Sequence, residues 1–293
     1  MSRSIPEILQ LRAEWLGRIR RFFDSRQFLE VQTPVLSPDT VVDRYIEPIP
    51  VNVPVQGQGQ VDYWLQTSPE FCLKRLLAAG AKAIYEITPA FRGGERGERH
   101  NIEFTMLEWY RVGDDYQAGM DLLDEFAVEL LGCQPATRIT YAEALQQFAN
   151  LDVNSSEVND ELLNQRFAEQ VEPALQQLGS VIIFDWPESQ AALAKLRGDD
   201  PAVAERFELF VNGIELANGY HELCDSHELL KRNQHVNQLR KMDGNRALPN
   251  ESRLLDAMRT GLPACSGVAL GIDRMLMVAT DSKSLTDVIA LIE

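Results

Sequence analysis

The segment FELFVNGIELANGYHEL at 207–223 constrains the fold more than any other stretch of the chain. Two apolar-rich runs flank Asn212-Gly213, a dipeptide suited to the positive φ of a two-residue hairpin turn. The chain therefore reverses here into an antiparallel pair. With that turn, Val211 pairs with Ile214, Phe210 with Glu215 and Glu208 with Ala217. Glu208, Phe210, Glu215 and Ala217 then share one face. Glu208 and Glu215 become diagonal neighbours, with Cβ atoms roughly 7 Å apart. Two carboxylates so placed need either solvent or a shared cation, and the hairpin alone leaves both readings open. Oxygen ligands without Cys or His suit Mg²⁺ rather than zinc.

Strands elsewhere also come in consecutive pairs. Residues 83–91 and 103–111 read as two strands around a loop, and 61–67 and VIIFDW at 181–186 read as single strands. FLEVQTPVLSP suggests a short strand stopped at an edge, because proline cannot donate to a ladder. Residues 5–26 read as an amphipathic helix with Ile8, Leu9, Leu11, Leu16, Ile19, Phe22 and Phe23 on one stripe. A second helix has Ser68 as N-cap, Pro69 as its first residue and Gly80 at its end. Further helices are expected near 117–132, 141–148, 159–178, 226–241 and 251–260, with a polar segment LDVNSSEVND between the second and third of these. A strand and helix finish the chain from 266 to 280. Antiparallel pairing without βαβ alternation predicts an α+β fold: a mostly antiparallel sheet flanked by helices. We expect one domain over 1–293, with 112–180 as a helical insertion.

Lys and Arg number 28 and Asp and Glu 44, a net charge of −16. A body this acidic repels phosphate backbones, so broad nucleic-acid binding is not expected. Cys72, Cys133, Cys224 and Cys265 make no CxxC pair, which points to reduced thiols rather than a zinc or redox motif. No apolar run reaches the ~18 residues that span a bilayer, and the first residues lack a secretory core. A cytoplasmic location without membrane contact is expected.

A basic island interrupts this acidic chain. In ITPAFRGGERGERHNIEFTMLEWYR, Arg92, Arg96, Arg99 and His100 lie on a glycine-rich loop. Such a loop could clamp a polyphosphate through bidentate guanidinium contacts, or be an ordinary Arg/Glu surface hairpin. In the returning strand Phe104, Met106, Glu108 and Tyr110 share a face. Glu108 argues for a site, since a core face does not bury a carboxylate without a partner. Near the C-terminus, CSGVALGIDRMLM has small residues at 267, 269 and 271, which permit close strand packing or approach to a ligand. No phosphate loop of the GxxxxGK[ST] type and no GxGxxG turn is present.

Taken in order, FLEVQTP, FR…HNIEFTMLEWY and GVALGIDR resemble the three signature motifs of class II aminoacyl-tRNA synthetases. TSPEFCLKRLL, RHNIEFTMLEWY and IELANGYHEL are similar to lysyl-tRNA synthetase. That family carries an anticodon-binding OB domain ahead of its core, for which this chain has no room. SGVALG, with Ala269, resembles the truncated paralogues, the elongation factor P–(R)-β-lysine ligase family, and the resemblance runs over essentially the whole chain.

The resemblance implies ATP and Mg²⁺ as cofactors, and adenylation of lysine or (R)-β-lysine followed by transfer to a lysine of elongation factor P. It implies a homodimer through the first motif and makes tRNA an unexpected partner. Arg92 and Arg274 would be catalytic. Arg92, Glu95, His100, Asn101, Phe104, Glu215, Leu216, Gly271 and Arg274 would bind ATP, with Phe104 stacking on adenine. Glu208 and Glu215 would hold Mg²⁺. Ser68, Pro69, Glu70, Glu108, Tyr110, Asn218, Tyr220, Glu222 and Ala269 would bind the amino acid. Read alone, Ser68 and Glu70 are a helix cap and a first-turn acid. Glu215 and Glu222 are an odd number apart, so a bulge near Gly219 is needed to put both on one face. Gly94 stands where the second motif usually has glutamate, with Glu95 one position later, and Gln27 stands where the first motif often has glycine. The alternatives are a synthetase-like enzyme charging a tRNA or another carrier, and a catalytically silent nucleotide-sensing module.

Overall fold

Helix α1 (Ile5–Ser25) opens with a reciprocal cap: the Ser4 N–H donates to Glu7 Oε2 at 2.8 Å. It buries Ile8, Trp15, Ile19, Phe22 and Phe23. Leu9, assigned above to the stripe, is 56% exposed, because it sits one position off that face. The helix ends in a left-handed turn at Gln27 (φ 62). Phe28 N–H donates to Phe23 O at 3.1 Å and Gln27 N–H to Asp24 O at 3.1 Å, the paired bonds of a Schellman stop. Phe23 and Phe28 meet edge to face at 5.2 Å, which completes the stop with its usual apolar contact.

The computed structural model describes residues 3–292 except 154, 156 and 157. Asn154, Ser156 and Glu157, part of the polar segment, thus lie outside the described residues. The fold is α+β, as expected. One sheet holds β1 (Leu29–Glu30), β5 (Ala83–Phe91), β6 (Glu103–Val112), β11 (Cys265–Gly271), β10 (Ile214–His221), β9 (Val203–Val211), β8 (Ser180–Pro187) and β7 (Thr137–Thr140), in that spatial order. The six inner strands are antiparallel to one another; the edge strands β1 and β7 pair parallel with β5 and β8. A smaller sheet orders β2 (Leu36–Ser37), β4 (Gly59–Leu65) and β3 (Pro50–Val55).

One face of the large sheet is covered by α1, α3 (Tyr116–Leu131) and α9 (Ile272–Ala279), around Phe22, Phe23, Trp109, Phe126 and Met275. The opposite face carries α2 (Glu70–Ala78) and α8 (Arg253–Gly261), packed on Ile84 and Tyr110. α7 (Ser226–Met242) adds Leu229 to that cluster. The segment 112–180 is not helical throughout, since it supplies the edge strand β7. Its helices are α3, α4 (Tyr141–Ala149), α5 (Asp160–Arg166) and α6 (Glu172–Leu175). The helix expected over 159–178 is interrupted by a π turn at Phe167–Val171, just before Pro173, whose ring cannot continue an α-helical ladder. All four cysteines are free thiols. Among the described residues no helix is long and apolar enough to cross a membrane.

Candidate active site

Strand register assembles the floor of a cavity on the α2 side of the sheet. Glu108 lies opposite Ala269, and Ala269 opposite Asn218; Tyr110 lies opposite Gly267, and Gly267 opposite Tyr220. Paired residues share a face, so two rows of site residues cross β6, β11 and β10. Gly267 is required here: a Cβ would lie 2.1 Å from Tyr110 Cε1 and 2.6 Å from Glu222 Oε1.

The hairpin register differs from the one read in the sequence. Val211–Ile214 and Phe210–Glu215 pair as expected, but the ladder shifts between Glu215 and Ala217. Leu216 is the extra residue of a β-bulge, so Ala217 faces Leu209 and enters the core, while Glu208 faces Asn218. The bulge that brings Glu215 and Glu222 into one cavity is therefore at Leu216, not near Gly219. Every residue after it changes face.

At one end of the cavity the basic loop meets α9. Arg92 packs its guanidinium 5.1 Å from the Phe104 ring centroid, and its buried Nε has no hydrogen-bond partner among the described residues. Glu95 Oε1 is 3.8 Å from Arg92 Nη1. Both residues line the cavity, as do His100, Asn101 and Gly271. Gly94 takes positive φ (79), so the loop turns there and presents Glu95 instead. Arg274 approaches His100, Nη2 to Nε2 2.5 Å, and donates to the Glu215 carbonyl at 3.3 Å. Burial and the Arg274 charge hold the His100 imidazole below its usual range, so it accepts that hydrogen bond neutral. Asp273, which the sequence reading passed over, fixes this end. It accepts from Thr105 N–H at 2.7 Å and pairs with Arg12 at 2.5 Å, pinning the start of α9 to β6 and α1.

The other end is acidic. The start of α2 is one residue later than expected: Pro69 is the N-cap, so Ser68 lies outside the helix and lines the cavity with Glu70. Pro69 itself does not line it; its carbonyl accepts from Cys72 and Leu73. Tyr110 Oη donates to Glu108 Oε1 at 2.5 Å, while Asn218 Nδ2 donates to Tyr220 Oη at 2.9 Å. Burial pushes the Glu108 carboxyl well above its usual range, and Glu222 up to about 8. Glu108 Oε2 and both Glu222 oxygens are buried and accept no hydrogen bond from the described residues, although Glu222 Oε2 is ion-paired with Lys74. Buried acceptors left in this way are costly unless donors reach them. The sequence reading also missed Lys74, buried beneath Glu70 and Glu222. Its spacing, four residues after Glu70 on a helix, was the available signal.

Glu208 is set apart from the cavity. It is buried, and its Oε1 accepts from Arg206 Nη2 at 2.5 Å. Burial lifts its carboxyl to about 7 against the pull of Arg206. Glu215 is half-exposed and lines the cavity beside Arg274. Among the described residues no group of three or more His, Cys, Asp or Glu is placed to hold a metal ion. A Mg²⁺ bound by one or two carboxylates and substrate phosphates needs no such group, and Glu215, with oxygen donors only, fits that role. Glu208 fits only as a partner already shared with Arg206.

The description of class II tRNA synthetases (D, K and N) matches residues 1–292. The elongation factor P–(R)-β-lysine ligases of Salmonella dublin and Salmonella heidelberg (strain SL476) are each 41% identical over 311 residues, covering 99% of this chain and 95% of the relative. The same holds for that of Salmonella typhimurium. The chain therefore belongs to the class II tRNA synthetase family, among the ligases that carry this catalytic fold.

Proposed function

We propose that this enzyme activates (R)-β-lysine or lysine with ATP and transfers the acyl group to a lysine side chain of elongation factor P. One observation carries the reading: the cavity is basic and aromatic at one end and acidic at the other, and among the described residues the basic end leaves the donor Arg92 Nε without a hydrogen-bond partner and the acidic end leaves acceptors on Glu108 and Glu222 without one. Arg92, His100, Arg274 and Phe104 suit a nucleotide triphosphate. Glu70, Glu108 and Glu222 suit the two ammonium groups of a diamino acid, whose carboxylate then lies toward Arg92.

In the first step a substrate carboxylate oxygen attacks the α-phosphorus. The bond to the β-phosphate oxygen breaks, and pyrophosphate leaves. Arg92 neutralises charge at the α-phosphate, and Arg274 does so toward the leaving group. Phe104 and the acidic wall hold the two reactants in line. Glu215 would hold Mg²⁺, which neutralises phosphate charge when bound, with Glu208 behind it. In the second step the acceptor amine attacks the acyl carbon, AMP leaves, and the amine proton passes to solvent. The 41% identity to the Salmonella ligases supports elongation factor P as acceptor. A homodimer is part of the same reading: β1 is a sheet edge, and Leu29 on it is 63% exposed. So is a cytoplasmic location, which the four free thiols suit.

ATP–pyrophosphate exchange with Mg²⁺, comparing (R)-β-lysine, L-lysine and no amino acid, tests the first step. Stimulation by either diamino acid, lost in Arg92→Ala, is expected. Silence with all three, from folded protein, would refute the reading.

A further inference from the structure

Lys74 lies wholly behind the cavity wall. Its side chain is 1% exposed, and Nζ is 2.5 Å from both Glu70 Oε1 and Glu222 Oε2. Both carboxylates line the cavity, but Lys74 does not. The grip on Glu222 is an ion pair at Oε2, while Oε1 lies over Gly267; neither oxygen has a hydrogen-bond partner among the described residues. An ammonium group has three donors and no acceptor, so it can bind two carboxylates at once and orient each.

We propose that Lys74 is a positioning residue for amine recognition, clamping Glu70 and Glu222 from behind so that each turns a fixed edge toward the substrate's ammonium groups. The proposal deepens the diamino-acid reading given above and rests on it. Glu70, Glu108 and Glu222 would otherwise share one buried pocket, where like charges cannot all ionise. A protonated carboxyl does not attract an ammonium group. The Lys74 charge eases ionisation of Glu222 as an ammonium group arrives, and the clamp fixes its rotamer beforehand.

Titratable groups act on Lys74 and its two carboxylates from several elements, Tyr220 of β10 among them. Glu70 shares its helix, Glu222 and Cys224 come from the end of β10 and the turn after it, Glu108 and Tyr110 from β6, and Cys265 from β11. Burial lifts both thiols and the Tyr110 phenol. Glu222, lifted by burial to about 8, is therefore a group that changes charge near neutral pH.

The test is exchange kinetics across pH on the full chain. Wild type must first show amino-acid-dependent exchange; its absence refutes the underlying reading and, with it, the clamp. Given that activity, Lys74→Met removes the ammonium, and Lys74→Gln removes its charge while keeping a donor, the second variant guarding against misfolding from two bare carboxylates. In each folded variant KM for the amino acid is expected to rise about tenfold at neutral pH, with KM for ATP nearly unchanged. The acid limb of kcat/KM for the amino acid, which reports the free enzyme, is expected to move about one unit higher. Lys74→Arg should hold the limb in place. A variant that loses kcat with no movement of the limb, or raises both KM values alike, would overturn the proposal.

Discussion

The Gly93 N–H donates to the Glu47 carbonyl at 2.7 Å, so the arginine loop hangs from a strap, residues 41–47, that also forms cavity wall. Arg240, wholly buried, holds the strap from behind. Its Nη1 donates to Asp43 O at 2.8 Å, its Nη2 pairs with Glu47 Oε2 at 2.5 Å, and its Nε donates to Arg246 O at 2.9 Å. Arg240→Met leaves the Asp43 and Arg246 carbonyls without this donor and is expected to cost about 1–3 kcal/mol of stability. ATP binding should weaken too, because Arg92 follows the loop. Arg240→Lys should recover only part, since an ammonium cannot present the guanidinium fork. Urea unfolding and calorimetric ATP titration measure the two effects; unchanged ATP affinity in a destabilised variant would disconnect the strap from the nucleotide end.

Gly267→Ala places a methyl group 2.1 Å from Tyr110 Cε1. The aromatic ring and the Glu222 carboxylate must both shift, at an expected cost of about 1–3 kcal/mol. The amino-acid KM should rise more than the ATP KM. By contrast, Gly271→Ala meets nothing closer than 4.0 Å and has no positive φ to lose, so its thermal midpoint should stay near that of wild type. Equal melting losses for the two variants would refute this account of Gly267.

Gln27 occupies the left-handed stop of α1. A side chain there pays roughly 1 kcal/mol relative to glycine. Gln27→Gly should therefore stabilise the protein by about 0.5–1 kcal/mol, net of the added freedom of the unfolded chain. A lower urea midpoint in this variant would show that the Gln27 side chain makes a compensating contact.

Stability should also report the acidic wall. Burial raises Glu222 to about 8 and Glu108 above its usual range, whereas the ordinary value is 4.5. Between those values the folded protein binds more protons than the unfolded chain, so this contribution falls as pH rises from about 4.5 through about 8. Glu222→Gln should flatten the slope, and the wild-type advantage of acid over alkaline conditions should shrink when a diamino acid is added, because ammonium groups favour the ionised wall. Thermal unfolding over that range measures it; a slope that Glu222→Gln leaves unaltered would locate the titration elsewhere.

Much of the architecture was legible because local signals agreed. Alternation in 83–91 and 103–111, the Asn212-Gly213 turn and the stripe of α1 each predicted an element that the structure contains. Boundaries failed where a neighbour competed. Pro69 became the cap in place of Ser68, which moved Ser68 from helix to cavity wall. Strand β7 escaped notice because four residues, TRIT, carry too little alternation, and its partner β8 lies forty residues away. Lys74 was read as part of a motif but given no role, because a lysine on a helix is ordinarily solvated.

Sequence alone determined the order of the candidate site residues along the chain, the α+β class and the need for a bulge in β10. Residue type and period are local quantities, and parity forbade Glu215 and Glu222 from sharing a face on a regular strand. Tertiary structure decided where the bulge falls, which carboxylate meets the cavity and which meets Arg206, and that Lys74 lies between Glu70 and Glu222. Those outcomes depend on packing and desolvation summed over elements distant in sequence. A buried charge takes whichever partner the fold brings within reach, and no local pattern names that partner.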